Sequence, residues 1–351
     1  MYKGKLLILL GLVFYSLVLS GCTFDSSDDY REITDMGGRT VLIPDKVNSV
    51  FSTIASGTIV IYTIDPELLV GVNYDFNEME KEFILEAYQD LPSYGQGSKI
   101  NKEAIIAAEP DIIITYGTIN DSEISFADNF QEQTNIPVLM VDGALEKAPE
   151  AYRFLGKVFD LKDRTELLAT YAEGALYFAS EINALVTEQI SIYYGNGIDS
   201  LETVPTNSTH AELFNLVNVK NVAVIGGEII DRVDVSSEQI IVWNPEVIIL
   251  NGEPSENESP ITAVESFKNN SNYQNVRAVI NDKVFAIPKY PYSWFDRPQS
   301  VNRLIGIYWL TDIVYPELKD VFVIQEAKEF YKLFYHYELS EENITLLLGN
   351  K

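Results

Sequence analysis

One cysteine and two histidines in 351 residues leave this chain little covalent or metal chemistry. A lone Cys22 excludes an intrachain disulfide and any Cys-x-x-Cys site, so stability must come from packing. His210 and His336 lie far apart in sequence, and there is no His-x-x-x-His pair, no Cys pair and no Asp-x-Asp-x-Asp-Gly loop. That disfavours a cage for a bare divalent ion. Nor is there a Gly-x-Ser-x-Gly elbow, a His-Glu-x-x-His helix or a Walker loop, which leaves no catalytic residues to name and argues against an enzyme. Basic residues are scarce too. Twenty-five Lys and Arg face 52 Asp and Glu, a net charge of −27, which repels nucleic acid and anionic headgroups. The acids are scattered, which favours a solvated, salt-tolerant surface over a cation-gathering one.

What is present begins with Lys3 and Lys5, an apolar run from Leu6 to Leu19 and the tetrapeptide Leu19-Ser-Gly-Cys22. The run is about 14 residues against the ~20 needed to span a bilayer, so residues 1–21 read as a cleaved signal. The small-small-Cys ending resembles the bacterial lipobox, in which Cys22 carries lipid and becomes the mature N-terminus. Losing Lys3 and Lys5 takes the charge to −29. Residues 22–40, with Asp-Ser-Ser-Asp-Asp, read as an acidic tether. Sequons at Asn120, Asn207, Asn257, Asn269 and Asn343 are compatible with glycosylation.

Hydrophobic content of 46% supports real cores. Strands are expected at 47–52, 68–72, 111–115 and 137–141, with helices starting near Ser56 and over 101–108. This alternation predicts a parallel α/β layer. Strands then stop, and 164–186 has the period and propensity of one long helix, with Leu167, Leu168, Tyr171, Leu176 and Phe178 as apolar positions. They resume at 191–194, 222–224, 247–250 and 284–287. The division is therefore an N-terminal α/β lobe over 41–145, an interlobe helical segment over 146–187 and a C-terminal α/β lobe over 188–351. An internal echo supports it: Asn101-Lys-Glu-Ala-Ile-Ile-Ala-Ala-Glu-Pro110 parallels Ser236-Ser-Glu-Gln-Ile-Ile-Val-Trp-Asn-Pro245, each with a capping residue, a first-turn Glu and a Pro leading into an apolar strand.

With this echo and the run Pro291-Tyr-Ser-Trp-Phe-Asp-Arg-Pro-Gln-Ser-Val-Asn-Arg303, the chain resembles the class III substrate-binding proteins of ABC importers, which carry iron-siderophores, haem, vitamin B12 and related metal compounds. The resemblance implies two Rossmann-like lobes with mainly parallel sheets, joined by one rigid helix, with ligand in the cleft between them. It implies a monomeric, lipid-anchored receptor on the outer face of the cytoplasmic membrane, whose partners are a permease dimer and its ATPase. Glu103 and Glu238 occupy the places of the acids that dock onto permease arginines. The leading expectation for the ligand is an iron complex of siderophore type; molybdate or tungstate, haem and corrinoid are rivals, and no cofactor is expected. Gln299 stands where relatives often have a second proline.

The candidate ligand contacts follow from chemistry and placement. Arg297 suits a carboxylate, catecholate or oxyanion, and Trp294, Phe295 and Tyr292 supply aromatic faces in a loop after a strand end. His210 stands before a helix start and can meet a metal within the bound complex or an oxyanion. Tyr193 and Tyr194 end a strand, with one expected to face the cleft. Ser56, Tyr94 and Tyr116 are expected to line the opposite wall, with backbone N–H groups near Ser56 favouring an anion. His336 is expected to be structural.

Overall fold

The computed structural model describes residues 30–226, 232–252 and 260–349. The signal segment, Cys22, Asn257 and the first residues of the expected tether lie outside these. Among the described residues, no helix is long and apolar enough to cross a membrane.

The chain opens with a hairpin, β1 (Tyr30–Thr34) against β2 (Thr40–Pro44). Residues 30–40 are thus folded rather than part of a tether. Buried Asp35 holds the hairpin down: it pairs with Arg39 at 3.1 Å and accepts the Met140 N–H at 3.0 Å. The first lobe's sheet is β3 (Val50–Ser52), β4 (Ile112–Gly117) and β5 (Val138–Asp142), all parallel. Apolar strands buried on both faces are what helix-flanked parallel sheets require. The expected strand at 68–72 makes only isolated bridges, Val50 with Leu69 and Val72 with Ser93.

In the second lobe β6 (Ser191–Gly195) is followed by the short β7 (Glu202–Thr203), β8 (Lys220–Asn221), β9 (Val233–Asp234), β10 (Val247–Leu250) and β11 (Val284–Ala286). Four of these form a parallel sheet in the order β11-β10-β6-β8, while β7 and β9 pair antiparallel. The strand expected at 222–224 sits two residues early. Asn221 explains the shift, because its side chain accepts the Ala223 N–H and donates to the Val204 carbonyl, turning the chain away from the sheet.

The long helix runs over Lys162–Leu185, after a helix over Ala148–Val158. Its buried stripe includes Leu168, Ala169, Ala172, Ala175, Ala179 and Ile182, while Leu167 is exposed. Small residues let the two helices approach closely; a Cβ on Gly156 would stand 2.0 Å from Thr165 Oγ1.

The long helix is not the sole link between lobes. One core cluster spans both, and an aromatic seam runs through it. Tyr62 packs on Tyr335 at 6.0 Å, Phe83 on Tyr290 and Tyr331, and Tyr152 on Phe334. At the back of this seam Arg164 donates to the carbonyls of Thr63 and Leu333, each at 2.5 Å, satisfying the ends of helices Ala55–Ile64 and Val323–Phe334 together. His336 lies 3.4 Å from the same guanidinium, and burial followed by Arg164 holds its pKa below the usual value. A lowered folded pKa means that this stabilisation is complete above the ordinary value near 6.5 and is lost as pH falls through the folded one. Urea midpoints should therefore drop on acidification below about pH 6.5. The part of that drop removed by His336→Gln measures the histidine's share; an unchanged pH profile would contradict it.

Candidate ligand cleft between the lobes

The strands of the first lobe's sheet end at a cleft whose other wall is the second lobe. From the first lobe come Ile54 and Ser56 after β3, Tyr116–Ile119 at the end of β4, and Asp142–Ala144 after β5. From the second come Thr206–Thr209, Glu212, Asn215, Gln299 and Arg303. They enclose about 520 Å³. Crevices outside the carboxyl ends of parallel strands are where open α/β sheets place ligands. Close approach shapes the wall: Gly143 donates to the Gly117 carbonyl at 2.9 Å, and a Cβ on Gly143 would stand 2.8 Å from Gly117 Cα.

An ion pair of the second lobe reaches across the cleft. Arg303, almost fully buried, meets Glu212 and donates to the Gly143 carbonyl at 3.1 Å and the Ser300 carbonyl at 3.0 Å. Glu212 also accepts the Leu145 N–H at 3.1 Å. Residues of the second lobe thus hold the β5 end of the first. Because the guanidinium is committed to these partners, the cleft's other side-chain donors are neutral, among them Ser56, Thr118, Asn207, Ser208, Asn215 and Gln299, while the carboxylates of Asp142 and Glu212 also line it. Gln299 donates to Thr209 Oγ1 at 3.0 Å, so the departure from proline adds a polar cleft residue. Burial, offset in part by Arg303, pushes the Tyr116 phenol up to about 12, keeping it protonated. The helix Ala55–Ile64 starts here with no side-chain cap and no acid in its first turn. Its positive end favours an anion.

The sequence candidates divide sharply. Ser56 and Tyr116 line the cleft. Tyr193, Tyr194, Trp294 and Phe295 do not; each is buried in the second lobe's packing. Trp294 Nε1 donates to Tyr331 at 3.0 Å, Phe295 packs between Tyr194 and Phe214, and Tyr193 donates to the Ser200 carbonyl. Tyr292 packs on Tyr74 and Phe76 in the seam, and Tyr94 sits edge-on to Phe51. The aromatic wall expected here is instead largely core: Tyr331 and Tyr335 pack on Trp294 and Tyr292, and Tyr194 and Phe214 enclose Phe295.

His210 and Arg297 converge on Asp296, an acid weighed from sequence as a partner of Arg297 and not as a site residue. Asp296, 1% exposed, accepts from Tyr194, lies 3.0 Å from His210 Nδ1 and 3.6 Å from Arg297 Nε. Burial and this carboxylate raise the Tyr194 phenol well above its ordinary value. His210 therefore flanks the cleft beside Thr209, oriented by Asp296, and is not one of the lining residues. No group of three or more His, Cys, Asp or Glu able to hold a metal ion occurs among the described residues. A larger hollow of about 770 Å³ adjoins the cleft on the first lobe, sharing Ile54, Tyr116, Gly117 and Thr118 and reaching Phe126, Phe130 and Glu103.

The sequence profile of the family described as "Periplasmic binding protein" matches residues 69–291. The chain belongs to the periplasmic binding protein family. It is an extracytoplasmic solute-binding protein of the ABC-transporter kind, which works with a permease and an ATPase and is not an enzyme. It is 22% identical over 355 residues to the molybdate-binding protein MolA of Haemophilus influenzae, covering 93% of this chain and 96% of that one. An ABC transporter solute binding protein from Sulfurospirillum deleyianum superposes with a TM-score of 0.81 at 29% identity, covering 90% of this chain and 98% of the other. The molybdate-bound structure of MolA superposes at 0.70 with 21% identity, over 88% of this chain and 99% of that one. The fold class and family expected from sequence agree with these findings.

Proposed function

We propose that this periplasmic binding protein captures a compact metal oxyanion of the molybdate or tungstate kind and delivers it to its permease. The observation that carries the reading is the cleft's lining: hydroxyls and amides from both lobes and a helix start with no acid in its first turn, around about 520 Å³, with Glu212 neutralised by Arg303 and Asp142 the one other carboxylate on the wall. Such donors suit a tetrahedral oxyanion, whose charge is spread over several acceptors. The molybdate-binding relative supports the same class. Haem and corrinoids fit less well, because Trp294, Phe295 and Tyr194 are buried and offer no flat apolar wall.

An iron complex is the second reading, favoured by the adjoining hollow with Phe126 and Phe130, which would extend the site for a bulkier chelate. In either case Cys22 carries the lipid that holds the receptor at the outer face of the cytoplasmic membrane, and Glu103 and Glu238 dock onto the permease. His210, with Arg297 and Asp296, positions the Thr206–Thr209 loop beside the ligand.

Isothermal titration calorimetry tests the choice, since Trp294 and Trp309 are buried and no tryptophan lines the cleft. Saturable heats are expected with molybdate and tungstate, and Ser56→Ala with Thr118→Val should weaken them at least about tenfold through two lost hydrogen bonds. Silence to both anions with saturable binding of a ferric chelate would move the assignment to the second reading.

A further inference from the structure

The two glutamate-bearing helices match in more than sequence. Residues 101–110 and 236–245 share the same order of exposure at nine of ten positions, differing only at Glu109 and Asn244. Asn101 caps Lys102–Ala108 through the Ala104 N–H, and Ser236 caps Ser237–Trp243 through the Gln239 N–H. Each helix ends on a left-handed residue, Glu109 at φ 48° and Asn244 at φ 45°. Ile105 and Ile240 are wholly buried, yet their neighbours Ile106 and Ile241 are 42% and 40% exposed. Each exposed isoleucine stands three residues after an exposed glutamate, on the same helix face.

Topology puts both faces at the cleft end of the molecule. Glu103 borders the same hollow as Thr115–Thr118, the carboxyl end of β4. Ser236 follows β9, which pairs with β7 beyond the carboxyl end of β6, and Val235 donates to the Leu201 carbonyl at 2.9 Å.

We infer that Ile106 and Ile241 are paired apolar anchors of a docking surface for a two-fold-symmetric membrane partner, whose two identical subunits each present a cationic side chain beside an apolar socket. The inference rests on the docking role proposed for Glu103 and Glu238 and extends it. The acids supply charge complementarity but are solvent-screened and worth little individually. An aliphatic side chain buried beside each acid adds the desolvated contact that makes an interface persist. Repetition of both groups in both lobes is what selects a symmetric partner over a single-chain one.

The test places a photo-crosslinking amino acid, benzoylphenylalanine, at position 103, 106, 238 or 241 of the full-length chain in its own cell. All four positions are expected to link to the same membrane-spanning permease subunit. Ile106→Asp combined with Ile241→Asp should cut the yield from position 103 by roughly tenfold. The thermal melt of that variant should stay unchanged, since both side chains are already part-exposed. Links to the permease from 103 and 238, with lipid, a second copy of this chain or nothing at 106 and 241, would overturn the inference and leave the glutamates standing. No permease link from any position would remove both.

Discussion

Arg303→Ala should cost about 3–5 kcal/mol of folding stability and abolish ligand binding together. The arginine is almost fully buried, and its removal strands Glu212 and leaves the Gly143 and Ser300 carbonyls without their donor. An ion pair broken from one side costs far more than the intact pair contributes, because the remaining charge is left desolvated. Binding fails by a different route. The β5 end at Gly143–Leu145 forms one wall of the cleft and is held from the second lobe by Arg303 and Glu212. Urea unfolding and calorimetry on one preparation separate the effects, and Glu212→Gln, which can still accept the Leu145 N–H, should be milder in both. A loss below about 1 kcal/mol would mean that the pair behaves like an exposed surface bridge.

Trp294→Ala should be as damaging to stability, about 3–5 kcal/mol, while leaving ligand affinity near its original value in whatever fraction remains folded. Trp294 is fully buried against Tyr331. Its backbone carbonyl approaches the helix Arg303–Val314 so closely that a Cβ on Gly306 would stand 1.9 Å away. Removing the indole opens a large cavity and orphans the Tyr331 contact, but touches no cleft residue. Intact stability with lost binding would return Trp294 to the ligand wall that its sequence context suggested.

That contrast shows where sequence reasoning succeeds. Strands such as Val247–Leu250 are legible because a run of branched apolar residues after a proline has few other places to go. The echo between 101–110 and 236–245 was legible because capping residue, acid and proline are all local. Contacts made over long separations were not. The aromatic loop at 290–295 resembles a ligand wall until Tyr331 and Tyr335, from a later helix and its end, pack on Trp294 and Tyr292. Asp35 resembles a tether residue until Met140, 105 positions away, supplies its donor. At the site, Ser56 and Tyr116 follow from strand ends, whereas Arg303 and Glu212 act through a pairing that spans 91 residues. Arg303 ends the run 291–303 that carried the family resemblance, which was the available signal.

A crystal structure of the protein grown with saturating tungstate and read at the tungsten absorption edge decides whether the cleft is an oxyanion site. One tungsten is expected between the lobes, within hydrogen-bonding reach of Ser56 and the Thr206–Thr209 loop. An empty cleft at saturating tungstate, or tungsten bound elsewhere on the surface, would contradict it.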